Sequence, residues 1–165
     1  GDNLPFEEED NNSDSTANAI DSTDTENGSG NQFSQGSVQG FVDGPGDNDW
    51  FTMSAPEDAS GTDTEGNPAQ WVVVCANSHV WGSSANPSLT IYDASGAVLA
   101  EADTSADAAP NATIENIQIQ PGEQISIQVN SGSESLGAPD EWYRMKVFIA
   151  SFEVLSYEEG GYSCP

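Results

Sequence analysis

From residue 37 onward, apolar residues occur in short runs that turn-forming residues separate. The runs are VQGFV at 38–42, WFTM at 50–53, WVVVCA at 71–76, SLTIYD at 88–93, AVLA at 97–100, TIENIQI at 113–119, QISIQV at 124–129 and WYRMKVFIASFEVL at 142–155. Runs of this length, rich in β-branched and aromatic residues and bounded by Gly, Pro, Asp and Asn, predict β-strands. No longer stretch follows a helical period. The pattern therefore predicts an all-β protein with an antiparallel sandwich or barrel.

Two turn sequences predict hairpins within this pattern. A Pro-Gly pair at 121–122 separates two runs of alternating isoleucine and polar residues. We therefore expect 113–129 to form one hairpin. The turn at 93–96, Asp-Ala-Ser-Gly, similarly joins Ile91 to Val98.

The N-terminal part of the chain has a different composition. Residues 7–35 are dominated by Asp, Glu, Asn, Ser, Thr and Gly, which predicts disorder unless bound cations or a neighbouring chain hold the segment in place. We accordingly divide the chain into an irregular acidic N-terminal segment (1–36), a β-sandwich domain (37–157) and a C-terminal tail (158–165).

The charge balance limits the possible partners. Among 165 residues, 28 are Asp or Glu and 2 are Lys or Arg, so the formal net charge is -26. Nucleic acid is excluded as a partner because phosphate binding needs clustered cations, and anionic membranes are disfavoured for the same reason. Self-repulsion on this scale indicates a medium rich in salt or calcium.

Arg144 and Lys146 are the only Lys or Arg residues of the chain. Their i, i+2 spacing on a strand places both on one face. They pair either with acidic residues on neighbouring strands or with an acidic segment of another subunit, and the second alternative makes them a candidate interface.

The expected location is outside the cell. The sequence has neither a membrane-spanning apolar stretch nor a signal segment at its start, so we expect Gly1 to be a mature N-terminus.

Cys75 and Cys164 either form a disulfide or remain two thiols. We favour the disulfide, which closes a long loop and contributes about 4 kcal/mol in the chain-entropy model.

Enzymatic chemistry is poorly supported by the residue inventory. His79 is the only histidine, whereas a nucleophilic triad needs a histidine beside an activated Ser or Cys, and zinc needs more His or Cys ligands. We therefore expect no catalytic activity.

The larger aromatic residues are interpreted as core, with loop contacts as an alternative for two of them, Trp81 and Trp142. The set is Trp50, Phe51, Trp71, Trp81, Trp142, Tyr143 and Phe148.

Three groups of motifs, in order, carry a family resemblance. They are Glu9-Asp10-Asn11-Asn12 with Ala17-Asn18-Ala19-Ile20, then Val38-Gln39-Gly40-Phe41-Val42 with Gly46-Asp47-Asn48-Asp49-Trp50-Phe51, and then Leu89-Thr90-Ile91-Tyr92-Asp93 and Gly96 with 121–129, PGEQISIQV. Together they resemble the bacterial pre-peptidase C-terminal (PPC) domain family, over roughly residues 7–149. This resemblance implies a jelly-roll-like β-sandwich of the kind attached to secreted proteases and other exported proteins. The chain departs from the family in lacking the usual aromatic at 124–125 and in continuing past the last strand.

A calcium site is implied by the similar collagen-binding domains of clostridial collagenases. In those domains an acidic N-terminal segment and an Asp-containing strand entry hold the ion, and the matching residues here are Glu7, Glu9, Asn11, Asn12, Asp47 and Asp49. Calcium prefers such carboxylate and amide oxygens. The alternative is that the two Asp residues only shape a turn and that 7–12 is solvated.

These features favour a non-catalytic, secreted, calcium-stabilised β-sandwich that acts as an extracellular structural or adhesive unit. Its expected partners are further copies of itself, in a filament or sheath, or an extracellular matrix or surface polymer, with neither nucleic acid nor membrane insertion. The alternative is an accessory domain that targets or stabilises a secreted hydrolase.

Overall fold

The computed structural model describes residues 5–26, 32–41, 47–57, 61–78, 85–103, 111–131 and 141–152. Within these ranges the chain forms one 3-10 turn, Asp14–Thr16, and ten strands: β1 (Asn18–Ala19), β2 (Thr23–Glu26), β3 (Gln32–Phe41), β4 (Asn48–Ser54), β5 (Gln70–Asn77), β6 (Pro87–Tyr92), β7 (Val98–Asp103), β8 (Asn111–Ile119), β9 (Gln124–Ser131) and β10 (Trp142–Ala150). These strands build two packed five-stranded sheets. The predicted all-β sandwich is therefore confirmed.

The two sheets are antiparallel except at one edge. Sheet 1 has the strand order β1-β4-β9-β6-β7, and sheet 2 has the order β2-β3-β10-β5-β8. The exception is β1, which runs parallel to β4. Each of the eight predicted runs coincides with one of the strands β3 to β10, although β10 ends at Ala150 and is followed by a bend at 151–152. Residues 153–157 of the predicted extension lie outside the described residues.

One predicted hairpin is confirmed and the other is wrong. The turn at 93–96 joins β6 to β7, which pair antiparallel with Tyr92 opposite Val98. In contrast, β8 pairs with β5 in sheet 2, whereas β9 pairs with β4 and β6 in sheet 1. The turn at 121–122 therefore crosses between the sheets. Alternating isoleucines show which face of a strand is buried but not which strand is its neighbour, so a crossing turn and a hairpin produce the same pattern.

The core lies between the sheets and contains only some of the aromatic residues that the sequence predicts to be buried. Phe51 and Tyr143 are fully buried between the sheets, and Phe148 is buried in a second cluster with Val73 and Ala150. The core assignment was wrong for the half-buried Trp50, Trp71 and Trp142, which occupy the alternate strand positions that face away from the core. Trp81 lies outside the described residues.

Main-chain hydrogen bonds hold the described part of the acidic N-terminal segment. Phe6 bridges Gln39 of β3, β1 pairs with β4, and β2 pairs antiparallel with β3. Such bonds need no particular side chains, so a polar segment can join a sheet edge despite its composition. The segment contacts its own chain, and β3 itself begins before residue 37.

The two cations lie on one face of β10, as their spacing predicts. Both are half-buried, and they alternate with the buried Tyr143 and Met145. The Arg144 guanidinium lies 5.6 Å from the centre of the Trp142 ring. The Lys146 ammonium lies 4.8 Å from that of Phe148. Because β10 is flanked by β3 and β5, the cations sit in the middle of sheet 2, and their role as an interface stays a prediction.

Cys75 is buried on β5, with 1% of its surface exposed. The Thr113 hydroxyl of β8 donates to its sulfur at 3.7 Å. Cys164 and the tail 158–165 lie outside the described residues, so the disulfide between Cys75 and Cys164 stays a prediction.

Candidate metal site

The candidate metal site begins with a carboxylate buried between the two sheets. Asp49 is the second residue of β4 and points inward with Phe51 and Met53, because alternate strand residues share a face. Its side chain is only 2% exposed. The Tyr143 hydroxyl, which β10 contributes from sheet 2, donates to Asp49 Oδ2 at 2.6 Å. This hydrogen bond links the two sheets across the core.

The N-terminal segment spans this position from one sheet to the other. The Gln39 amide of β3 donates to the Pro5 carbonyl, and the Glu7 amide donates back to the Gln39 carbonyl, both at 2.8 Å. Four residues later, the Asn11 carbonyl accepts a hydrogen bond from the Trp50 amide of β4 at 2.9 Å. Because both ends are fixed by main-chain bonds, the side chains of Glu7 and Glu9 are placed beside Asp49.

Three carboxylates meet at this place. Glu7, Glu9 and Asp49 each offer an oxygen, and these oxygens lie within 4.8 Å of one another. Calcium binds oxygens at about 2.3–2.6 Å, so two ligands on opposite sides of one ion are separated by roughly 5 Å. The spacing of the three oxygens therefore suits a single calcium ion. Among the described residues, this is the only cluster of His, Cys, Asp and Glu with such spacing.

Two buried oxygens in the site have no hydrogen-bond donor. They are Asn11 Oδ1 and Asp49 Oδ1, and Asn11 is completely buried. The Asn11 amide nitrogen donates to Glu7 Oε2 at 3.2 Å and to Asn18 Oδ1 at 3.1 Å. Exchanging the amide oxygen and nitrogen would place an oxygen against two acceptors, so this orientation is fixed. A buried oxygen without a partner costs about 1–3 kcal/mol, and a bound cation removes that cost.

The electrostatics of the site also favour a cation. Burial, followed by the charge of Glu7, raises the pKa of Asp49 to about 9. Burial likewise raises the pKa of Glu7, against the hydrogen bonds that it accepts from the Phe41 amide and from Asn11. Two neighbouring buried carboxyl groups cannot both ionise easily, so one of them keeps its proton in the absence of a metal. A divalent cation can replace this proton.

For the remaining predicted ligands, Asp47 and Asn12, the structure shows less about their position relative to the three carboxylates. The charge of Asp47 raises the pKa of both Glu7 and Asp49, which shows that its carboxylate lies nearby. Asn12 is exposed and next to Asn11 in the chain, and its role as a ligand stays a prediction. Sequence reasoning gave no site role to Tyr143, which binds Asp49, or to Asn18, which binds Asn11 and the Glu8 main chain.

The metal-free protein is expected to lose stability as pH rises from about 4 toward 9. Asp49 has a pKa of about 9 in the folded state, against an ordinary value of 3.8. Between these values the folded chain holds a proton that the unfolded chain has released, so unfolding becomes easier at higher pH. Urea unfolding in EDTA at several pH values measures the effect. The Asp49→Asn variant, which cannot ionise, should give a flatter profile; a wild-type profile equally flat contradicts the expectation.

Comparison with known proteins leaves this site without an assigned role. No protein-family model matches the chain, and no curated protein matches it. The resemblance to the PPC family thus stays a prediction. Over the described residues, no helix is long and apolar enough to cross a membrane.

Proposed function

We propose that the chain is a non-catalytic, calcium-stabilised β-sandwich that works outside the cell as a structural or adhesive unit. The observation that carries this proposal is the pair of buried, donor-free oxygens of Asn11 and Asp49 beside the carboxylates of Glu7 and Glu9. The candidate ligand atoms of this site are all oxygens, which suit calcium better than zinc or copper. The ion would fix the N-terminal segment across the end of the sandwich.

The extracellular location is supported by the charge of the chain. A net charge of -26 destabilises a compact state unless cations screen or neutralise it. Extracellular calcium modules bind the ion with dissociation constants of about 10⁻⁴–10⁻³ M. A site that also includes the exposed Glu9 suits that range better than the range of a cytosolic buffer.

The structural role is supported by the position of the site in the fold. Glu7 is bonded to β3, Asn11 to β4, and Asp49 to Tyr143 of the opposite sheet. A cation bound there stabilises the contact between both sheets and the N-terminal segment. These carboxylates therefore act on the fold rather than on a substrate.

Self-assembly is one form that this function takes. The acidic surface of one subunit is attracted to Arg144 and Lys146 of another, which are the only Lys or Arg residues of the chain. A repeated contact of this kind is heterologous and extends into a fibre when the rotation does not close.

Electron microscopy and light scattering at high protein concentration test assembly. We expect filaments or higher oligomers with calcium present, and their dispersal by EGTA at constant ionic strength. Reversal of both cations to Glu should weaken assembly more than folding. Ser54→Glu with Thr64→Glu, at two exposed positions elsewhere, is the control. A chain that stays monomeric and attaches to no surface polymer with calcium present contradicts the proposed function.

A further inference from the structure

A groove on the outer face of sheet 1 lies apart from the candidate metal site. It has a volume of about 410 Å³ and crosses the strands β4, β9 and β6. This volume is within the range of about 300–1,000 Å³ that is typical of ligand pockets. Its lining includes the aromatic residues Trp50 and Tyr92 together with the polar residues Thr52, Gln124 and Ser126.

The aromatic part of the groove is a preassembled pair. The rings of Trp50 and Tyr92 are stacked, with centroids 5.0 Å apart and an interplanar angle of 28°. The two residues belong to β4 and β6, so their rings lean toward each other across β9. The Tyr92 hydroxyl donates to Gln128 Oε1 at 2.8 Å, and Gln128 Nε2 donates to Asn48 Oδ1 at 3.1 Å. These bonds fix the aromatic pair before any ligand arrives, which lowers the entropy lost on binding.

Two carboxylates are also held at the groove. Asp14 Oδ1 accepts a hydrogen bond from the Ser126 hydroxyl at 2.8 Å. Asp93 Oδ1 accepts bonds from the Ser95 amide, the Ser95 hydroxyl and the Ala97 amide. Each Asp therefore has one oxygen engaged in orienting the carboxylate. The hydrogen bond from the Ser95 hydroxyl, followed by the one from the Ala97 amide, lowers the pKa of Asp93, so this group remains an acceptor at neutral pH.

The chemistry of the groove matches one class of ligand. A sugar ring presents an apolar face, which packs on an aromatic side chain, and a rim of hydroxyls, which donate to carboxylates and accept from amides and hydroxyls. An acidic polysaccharide would be repelled by the two carboxylates and by the net charge of -26. A peptide side chain would find little continuous apolar surface, because five of the residues named in the lining are polar.

We infer that this groove binds a neutral sugar ring of an extracellular polysaccharide, with Trp50 as the packing surface and Asp14, Asp93 and Gln124 as hydroxyl partners. The inference rests on the proposed adhesive function and names its partner. A polymer of such rings running across an open groove gives the sandwich a surface to which it attaches.

The test is an NMR titration of the full chain, saturated with calcium, with cellohexaose and chitohexaose. Polygalacturonate is the anionic comparison. We expect the wild type to bind at least one neutral oligosaccharide and not the anionic polymer. Trp50→Ala should weaken binding about tenfold, and Gln124→Ala, which changes only an exposed polar side chain, about threefold. Trp71→Ala is the control because it removes another half-buried tryptophan, on β5 of the opposite sheet and outside the groove.

Three results would overturn the inference: no binding of either neutral oligosaccharide, equal binding by Trp50→Ala and wild type, or preference for polygalacturonate. Thermal melting of every variant with and without calcium is measured in parallel. If sugar binding is absent while calcium still stabilises the chain and drives assembly, the groove inference fails and the proposed function stands. If calcium has no effect but Trp50-dependent sugar binding is found, the groove inference stands and the calcium-dependent function fails.

Discussion

Removal of calcium is expected to lower the melting temperature of the protein by about 5 to 11 °C. A ligand that binds only the folded state at a hundredfold excess over its dissociation constant stabilises that state by about 2.7 kcal/mol. For a chain of 165 residues, each kcal/mol corresponds to roughly 2–4 °C. The stabilisation has two sources. The ion binds buried oxygens that otherwise have no hydrogen-bond donor, and it neutralises neighbouring carboxylates that otherwise repel each other. Differential scanning calorimetry with calcium or with EGTA, at equal ionic strength, measures the shift.

Two controls separate a specific site from general charge screening. Asp49→Asn should lose most of the calcium-dependent shift, whereas Glu57→Gln, which removes one exposed charge beyond the opposite end of β4, should retain it. Magnesium should have a smaller effect because it demands near-ideal octahedral geometry and gives up its waters reluctantly. Equal shifts for magnesium and calcium, or a full shift in Asp49→Asn, would show that the ions only screen the surface charge.

Gly40→Ala is expected to destabilise the chain by about 3 kcal/mol and to weaken calcium binding as well. A Cβ at this position of β3 would overlap the ring and hydroxyl of Tyr143, the residue opposite it on β10. Tyr143 is fully buried, so the ring cannot move aside without disturbing the core. Overpacking of this kind costs about 1–3 kcal/mol, and a ring contact belongs at the upper end. Displacing the hydroxyl also removes the hydrogen bond to Asp49.

Urea unfolding and calcium titration of the same variant measure the two effects. Gly66→Ala is the matched control, since it adds the same methyl group where nothing lies within 4 Å. Its φ of 86° makes it cost about 1–2 kcal/mol through backbone strain alone. The control should therefore lose some stability but keep its calcium affinity. A Gly40→Ala chain with unchanged stability would mean that Tyr143 does not occupy the place described.

The strands could be predicted where side chains determine them. Runs such as 71–76 and 124–129 carry enough buried apolar residues to define a strand and its inward face. The short strand Thr23–Glu26 carries no apolar residue at all, and it forms through main-chain pairing with β3, which leaves no mark in the side-chain pattern. The failed hairpin at 113–129 has a related cause, because pairing partners depend on how the turn leads the chain and not on alternation.

The candidate site was only partly accessible from the sequence. Asp49 occupies an alternate strand position on the same inward face as Phe51 and Met53, so the alternation alone places a carboxylate in the core. Its contact with Glu7 depends on the N-terminal segment lying across both sheets, and that path is set by main-chain bonds to Gln39 and Trp50. Tyr143 lies far along the chain and reads as an ordinary core aromatic. Its link to Asp49 follows from the packing of β10 against β4 and not from any local motif.

A crystal structure of the full chain grown with calcium, with anomalous diffraction used to locate the ion, tests the calcium site most directly. We expect one anomalous peak between the carboxylates of Glu7, Glu9 and Asp49, at about 2.3–2.6 Å from its oxygen ligands, with Asn11 Oδ1 among them. Density at this position that water alone explains, at a saturating calcium concentration, would contradict the calcium site.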